Sequence, residues 1–385
     1  MPEFPAVRRR LVVFLPGFEA MPAIAHAKRF VREARRTAPV YAMVLPDEVP
    51  ISGEGEVTAR IVAAGAGDAA TETELLVDSI DEIAASYAAR GAMRRLATGY
   101  RALFDFAISG AAARFAATSW RYLIFFLFPL ILPLAAVLLA LLAWQVSASA
   151  ATGLLVGVVL AVAFAWIAFS RLHLLLVMDD WTFAHDLAHR RQPDFEAALD
   201  RLAALTANRA SEGQFDEIVI AAHSLGAIGA VPLARRIVRM SAPLPPVGLL
   251  TVGSSLLKVA LHPKADWLRD DVEAVSEERL SWLDVQALTD PIHFYKSHPL
   301  TSLGLADVGS VRTMRVRFRN QLDPGRYRRL KFNLFAVHRQ FVGGVDRPTD
   351  YAFHAILLGP ERFETIAARP GLAPGRAATE GAGRA

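Results

Sequence analysis

Between Tyr122 and Ser170 lie 49 residues without a single Asp, Glu, Lys, Arg or His. As one straight helix at 1.5 Å per residue, that run would be about 73 Å long, more than twice the roughly 30 Å hydrocarbon core of a bilayer. It therefore reads as two crossings. The break falls at Gln145–Thr152 (QVSASAAT), small and polar, leaving transmembrane helices over about 122–144 and 153–170. The alternative, a helical hairpin buried in a soluble core, needs far fewer uncharged residues than this. Pro129 and Pro133 each remove a helical N–H, and neighbouring groups must take up the carbonyls so freed. Trp120, Tyr122 and Trp144 fall near the expected interfaces, where amphipathic rings collect.

Arg114 and Arg121 precede the run and Arg171 and Arg190 follow it, whereas the turn carries no Lys or Arg. That bias puts the turn outside and both flanks inside. Upstream, Leu103–Ala117 reads as an amphipathic approach helix at the interface. At the N-terminus, Arg8–Arg10 precede only the short apolar run Leu11–Pro16, too short for a signal-peptide core. The N-terminus is expected to stay on the side where it was made. The expected location is the inner (cytoplasmic) membrane, crossed twice, with the remaining chain cytoplasmic.

Outside the hairpin the composition is ordinary. Charged residues make up 21% of the 385, and about 24% once the 49 are set aside, close to the soluble norm. A uniformly hydrophobic transporter is thereby excluded, and with 53% hydrophobic residues so is a disordered chain. The two spans hold no ionisable residue that would line a transport path. The absence of cysteine excludes disulfides, thiolate metal sites and a cysteine nucleophile. A net charge of +4 is spread over scattered arginines with no aromatic-studded basic stretch, so nucleic-acid binding is not expected. Contact with anionic headgroups is the better use of that charge beside a membrane segment.

The flanks alternate strand and helix. Leu11–Leu15 is a buried strand stopped by Pro16-Gly17; Ala20–Arg36 is helical; Val40–Leu45 reads as a second strand stopped by Pro46. After the hairpin, Pro193–Asn208 is a helix, Glu217–Ala222 a strand, and Leu225–Met240 a helix with Pro232 inside it. Val247–Val252, Leu280–Leu288 and Met314–Phe318 are further strands. Gly65 and Gly67 (AAGAGDAA) follow no strand and read as a flexible loop. The expected fold is α/β with a mainly parallel sheet covered by helices on both faces. Its two parts, 1–100 and 191–365, are separated by a membrane insertion over 101–190. The end of the chain, 366–385, with Gly371–Ala385 rich in Gly, Ala and Arg, reads as a disordered tail.

Chemistry concentrates at Ala222-His-Ser-Leu-Gly226, where a strand ends and a helix begins. A sharp strand-to-helix turn strains its central serine and needs small residues two before and two after it, here Ala222 and Gly226. This arrangement resembles the nucleophile elbow of the α/β-hydrolase superfamily, its lipases and esterases in particular, with alanine at the usual first glycine. The resemblance implies Ser224 as nucleophile, then an acid, then a histidine, in that order along the chain. Asp290, in Thr289-Asp290-Pro291 after a strand, resembles the acid; Asp284, within the strand, is its competitor. His338 follows the last strand in a segment without helical periodicity and is the base; His354, in a C-terminal helix, is its competitor. The oxyanion donors implied are the backbone amides of Leu225 and of Phe18, the latter from Leu15-Pro-Gly-Phe18.

Gly17 and Ser224 stand 207 residues apart, roughly twice what such folds place between these loops, so the resemblance makes the hairpin an insertion inside the hydrolase fold. A second motif, His185-Asp-Leu-Ala-His189, puts two imidazoles on one helical face, like the zinc motif HExxH. Aspartate is a methylene short as a base and no third ligand is evident in the sequence. It reads instead as a juxtamembrane helix, with Arg190 and Arg191 near headgroups. No metal or cofactor is expected. The expected function is a membrane-anchored serine hydrolase acting on a lipid or other acyl ester, against a catalytically silent scaffold of the same fold in a membrane assembly.

Overall fold

A computed structural model describes residues 6–372 apart from 54–56, 66–69, 79, 148, 241–242 and 279. Its centre is β1 (Arg9–Leu15), almost wholly buried because RRLVVFL turns apolar as soon as it leaves the surface. After β1 the chain forms helix α1 (Ala23–Thr37) and then β2 (Ile51–Ser52), β3 (Val57–Ala64) and β4 (Ala70–Val77). Beyond the long helical segment that follows β4 come β5 (Glu217–His223), β6 (Val247–Val252), β7 (Ser281–Ala287) and β8 (Val311–Val316). These make one eight-stranded sheet in the order β2-β3-β4-β1-β5-β6-β7-β8. From β4 to β8 neighbouring strands are parallel; β2–β3 and β3–β4 are antiparallel. Strand order reverses between β1 and β5, the place where open α/β sheets form a crevice at their carboxyl ends.

The sheet divides the core in two. One layer holds Val12, Phe14, Phe30 and Val31 with the C-terminal helix Phe353–Leu358. The other holds Leu11, Val13 and Leu15 with the helices that follow the antiparallel strands. Those are α2 (Asp81–Ala88), α3 (Ala92–Ile108), α4 (Ala111–Thr118), α5 (Trp120–Val146), α6 (Ala150–Trp166), α7 (Leu174–Ala188), α8 (Pro193–Gly213) and α9 (Gly226–Val238), of which α6 adds no side chain to this core.

The hairpin is α5 and α6, the latter prolonged by a π turn over Ile167–Arg171. Both are long and apolar enough to cross a membrane. Only 17% and 11% of their most apolar windows are buried, so the pair is not the buried hairpin of a soluble core. The first turns of α5 are the exception: Tyr122 stacks on Phe294 with ring centroids 3.7 Å apart, and Phe126 meets Trp181 edge-on at 5.2 Å. Pro133 cannot donate to the carbonyl four residues earlier, and that carbonyl, of Pro129, instead accepts a 3.1 Å hydrogen bond from the Tyr100 hydroxyl.

Several local expectations are corrected. Val40–Leu45 is not a strand: a 3₁₀ turn occupies Ala38–Tyr41, where Pro39 has no N–H for a ladder, and Val44 alone bridges to Ala64. Leu103–Ala117 is broken by Gly110, at φ 86°, into α3 and α4; Leu103, Phe106 and Phe115 are buried in protein, whereas Phe104 and Ile108 stay exposed. The last strand ends at Val316, and Phe318 starts a short helix. Helix Phe363–Ala368 overlaps the start of the expected tail. Residues 373–385 and Gly67 lie outside the described residues.

Arg10 ties the two halves of the sheet to the C-terminus. Fully buried in β1, it pairs with Glu217 of β5 at 2.6 Å and donates to the carbonyls of Ile356, Leu357, Gly359 and Glu361. Removing one partner strands the other charge without water. Arg10→Met is expected to destabilise by about 3–5 kcal/mol, read as a fall in thermal midpoint, with the Arg10→Met/Glu217→Leu double variant recovering part of the loss.

Candidate active site

At the end of β5 the backbone turns so sharply that Ser224 has φ 57°, a left-handed conformation costing a non-glycine residue about 1–3 kcal/mol. The turn is held by hydrogen bonds from the Ser224 N–H to the Val252 carbonyl (3.1 Å) and from the Ser255 N–H to the Ser224 carbonyl (3.1 Å). Gly226 is required here: a Cβ would stand 2.2 Å from the Leu15 carbonyl oxygen and 2.6 Å from that of Pro16. Across the switch point, a Cβ on Gly17 would come within 3.0 Å of the Ser224 Cβ. Glycine thus lets the loop after β1 lie directly against the serine.

Asp290 and His338 meet. The His338 Nδ1–H donates to Asp290 Oδ2 at 2.7 Å, with the carboxylate fully buried after β7. His338 lies on the short helix Leu334–Arg339, capped by the Asn333 side chain on the Ala336 N–H (3.0 Å). Six residues are too few to display a helical period, which is why the sequence there looked irregular. A residue that the sequence did not single out completes the arrangement. His293 Nε2 accepts from the Ala287 N–H (3.2 Å), so its Nδ1–H donates to Asp290 Oδ2 (2.9 Å). The Ile292 N–H takes Oδ1 at 3.0 Å. Burial would raise the Asp290 pKa, but His338 and His293 outweigh it and hold the carboxyl well below its usual range.

Ser224 and His338 line one cavity of about 300 Å³. The His338 Nε2 is buried there without a hydrogen-bond partner. Phe18 and Leu225 line the same space. Neither of their N–H groups is taken up by another hydrogen bond among the described residues. Tyr122 and Phe125 of α5 and Leu176 and Val177 of α7 form an apolar wall, so both roots of the hairpin enclose the site. A charged pair, Lys258 and Asp180, lines it too, with the Lys258 ammonium 3.9 Å above the Trp181 ring. Burial pushes the Lys258 pKa down against the pull of Asp180. Arg121, beside the α5 root, donates to the Leu288 carbonyl two residues before Asp290.

The two competitors are elsewhere. Asp284 accepts from Thr251 Oγ1 (2.6 Å) and Gln286 Nε2 (2.9 Å) inside the sheet and is hydrogen-bonded to no histidine among the described residues; burial raises its pKa. His354 is buried with both ring nitrogens unpartnered, edge-on to Phe30 at 4.8 Å. A further unforeseen participant is His223, whose Nε2–H donates to the His338 carbonyl at 3.1 Å. Burial, with His338 beside it, pushes the His223 imidazole well below the usual histidine range and keeps it neutral. Compared with descriptions of known protein families, with curated proteins and with solved structures, the chain finds no match.

Burial lowers the His354 pKa to about 3 and that of His26 to about 4, from 6.5. Below pH 6.5 the unfolded chain therefore binds protons that the native state refuses, so stability is full above that pH and declines as pH falls towards 3. His354→Leu removes an unpartnered polar ring from an apolar site. Thermal midpoints measured from pH 7 to pH 4 should decline less steeply for this variant than for the wild type.

Proposed function

We propose that the protein is a membrane-anchored serine hydrolase that cleaves carboxylic esters of amphiphilic acyl substrates, on an α/β-hydrolase-type fold interrupted by a transmembrane hairpin. One observation carries the reading. A backbone-strained serine at the switch point of a parallel sheet shares a cavity with a histidine whose Nδ1 is fixed by a buried carboxylate and whose Nε2 is unpartnered. A serine hydroxyl at its free pKa is a poor nucleophile and needs such a base.

In this reading Ser224 Oγ attacks the ester carbonyl carbon while His338 Nε2 takes its proton. The carbonyl π pair moves onto oxygen, and the oxyanion is met by the Leu225 and Phe18 N–H groups, the first aided by the helix dipole of α9. Asp290, kept ionised, holds the imidazole tautomer and stabilises the cation formed. Collapse expels the alkoxide, which takes the proton from His338. Water, deprotonated by His338, then attacks the acyl-enzyme carbonyl; collapse breaks the bond to Ser224 Oγ, which takes the proton back from His338 as the carboxylic acid leaves. Apolar walls from both hairpin roots suit an acyl chain arriving from a bilayer, and tethering to that surface raises the effective substrate concentration. The chain is proposed to reside in the inner membrane with its catalytic body cytoplasmic.

The silent-scaffold reading is favoured by one observation: no hydrogen bond joins Ser224 Oγ to His338 Nε2. Labelling by a fluorophosphonate probe separates the two. Ser224 is expected to label, and Ser224→Ala and His338→Ala are each expected to lose about a thousandfold or more in ester turnover, Asp290→Asn somewhat less. Asp284→Asn should leave turnover within a few-fold. A purified wild-type protein that neither labels nor hydrolyses vesicular esters would leave the scaffold reading in place. For topology, a cysteine at Ser147 is expected to react with an impermeant thiol reagent in intact cells, while one at Ser211 in α8 stays protected.

A further inference from the structure

The motif His185-x-x-x-His189 acquires in three dimensions the third ligand that its sequence lacks. Asp105, eighty residues earlier on α3, brings a carboxylate to the same point on α7, and the three ligand atoms all lie within 4.8 Å of one another. The His185 Nε2 is 3.7 Å and the His189 Nε2 3.8 Å from Asp105 Oδ2. Hydrogen bonds on the far side of each ring decide which nitrogen carries the proton. The His189 Nδ1–H donates to the His185 carbonyl at 2.9 Å, and the His185 Nδ1–H donates to Asp186 Oδ1 at 3.3 Å. Both Nε2 atoms are then lone-pair acceptors facing a carboxylate that is itself an acceptor. Three acceptors with no proton between them repel one another, and at these separations none is hydrogen-bonded to another.

A cation between them resolves the conflict. We propose that Asp105, His185 and His189 bind a divalent transition-metal ion of the zinc class. Bonds of about 2.0–2.2 Å in tetrahedral geometry place ligand atoms about 3.3–3.6 Å apart, a contraction of a few tenths of an ångström from the 3.7 and 3.8 Å to Asp105 and of at most about 1.5 Å for the two imidazoles. The supporting shell is already built. Asp186, which stands where HExxH carries its glutamate, does not face the ion as a base: it holds the His185 ring and accepts from the Tyr87 hydroxyl at 2.6 Å. His262 Nδ1 accepts from the Lys264 N–H (3.2 Å), so its Nε2–H donates to Asp105 Oδ2 (2.9 Å) and orients that carboxylate. Metal-bound histidines use their second nitrogen in this way, on a carboxylate or a backbone carbonyl.

Location assigns the ion a structural part. Helix α3 leads into the membrane hairpin, α7 leads out of it, and His262 belongs to the segment between Leu256–Ala260 and Asp266–Glu277 in the hydrolytic body. One ion on α3 and α7, with its carboxylate held by His262, clips both roots of the hairpin together and to the body. The serine cavity is lined by Asp180, one turn and a residue before His185, but by none of the three ligands. The inference is thus independent of the hydrolase reading.

The test uses the full chain in detergent, stripped with a chelator and titrated with Co²⁺ and then Zn²⁺. The expected result is one equivalent of Co²⁺ with visible d–d bands of tetrahedral intensity, displaced by Zn²⁺ and not by Mg²⁺, with a Zn²⁺-dependent rise of a few degrees in thermal midpoint. His189→Gln and Asp105→Asn should abolish the bands, and Asp186→Asn should weaken Zn²⁺ by about 10–100-fold. Because Asp186→Asn keeps every ligand, it remains informative if a ligand variant fails to fold. Ser224→Ala should bind as wild type, which separates this outcome from failure of the hydrolytic reading. Binding below a tenth of an equivalent, or bands unchanged in His189→Gln, overturns the proposal.

Discussion

Everything at the candidate site depends on how closely β5's turn approaches β1's. The carbonyls of Leu15 and Pro16 occupy the space that a side chain at 226 would need, and Gly17 stands against the serine Cβ. Because both positions are glycine, the loop after β1 reaches the serine and brings the Phe18 amide to the side of the site where the Leu225 amide already stands. The sheet makes this contact possible, since β1 and β5 are parallel neighbours at the reversal of strand order. The buried Arg10–Glu217 pair locks the other end of the same two strands to the C-terminal segment. A tight carboxyl end thus rests on a charged clamp at the amino end.

The hairpin is joined to this body more intimately than two tethers would require. Its first turns are aromatic and buried, with Tyr122 on Phe294 and Phe126 against Trp181, whereas farther out its side chains are exposed. Aromatic pairs add about 0.5–1.5 kcal/mol each beyond area burial, so the root is rigidly held. Tyr122 and Phe125 also line the cavity, and Arg121 bonds the loop that carries Asp290. Motion of the hairpin relative to the body would therefore be felt at the site directly.

Elements whose apolar residues run continuously were legible in the sequence. Helix α1, the buried strands β1, β5, β6 and β7, and the two membrane-length helices all fall within a few residues of where periodicity put them. Strands β3 and β4 were not. VTARIVAA scatters small and β-branched residues around Arg60 and ATETELLV alternates Thr with Glu before it turns apolar, so neither is a continuous apolar run, and their strand character comes from pairing with each other and with β1. At 40–45 the apolar run misled, because Pro39 and the left-handed Ala42 divert the backbone. His338 was singled out only through the chain order of the resemblance, and its six-residue helix was too short to read.

The sequence by itself determined the apolar hairpin, the parallel α/β character and the strand–Ser–helix turn, all of which depend on residues adjacent along the chain. Tertiary structure alone decided the rest. That Asp290 receives both His338 and His293 while Asp284 is spent on Thr251 and Gln286 depends on which strand lies beside which. So does the meeting of Asp105 with His185 and His189 across α3 and α7. Such encounters follow from packing, and side-chain chemistry at one position carries no mark of the partner that folding will bring to it.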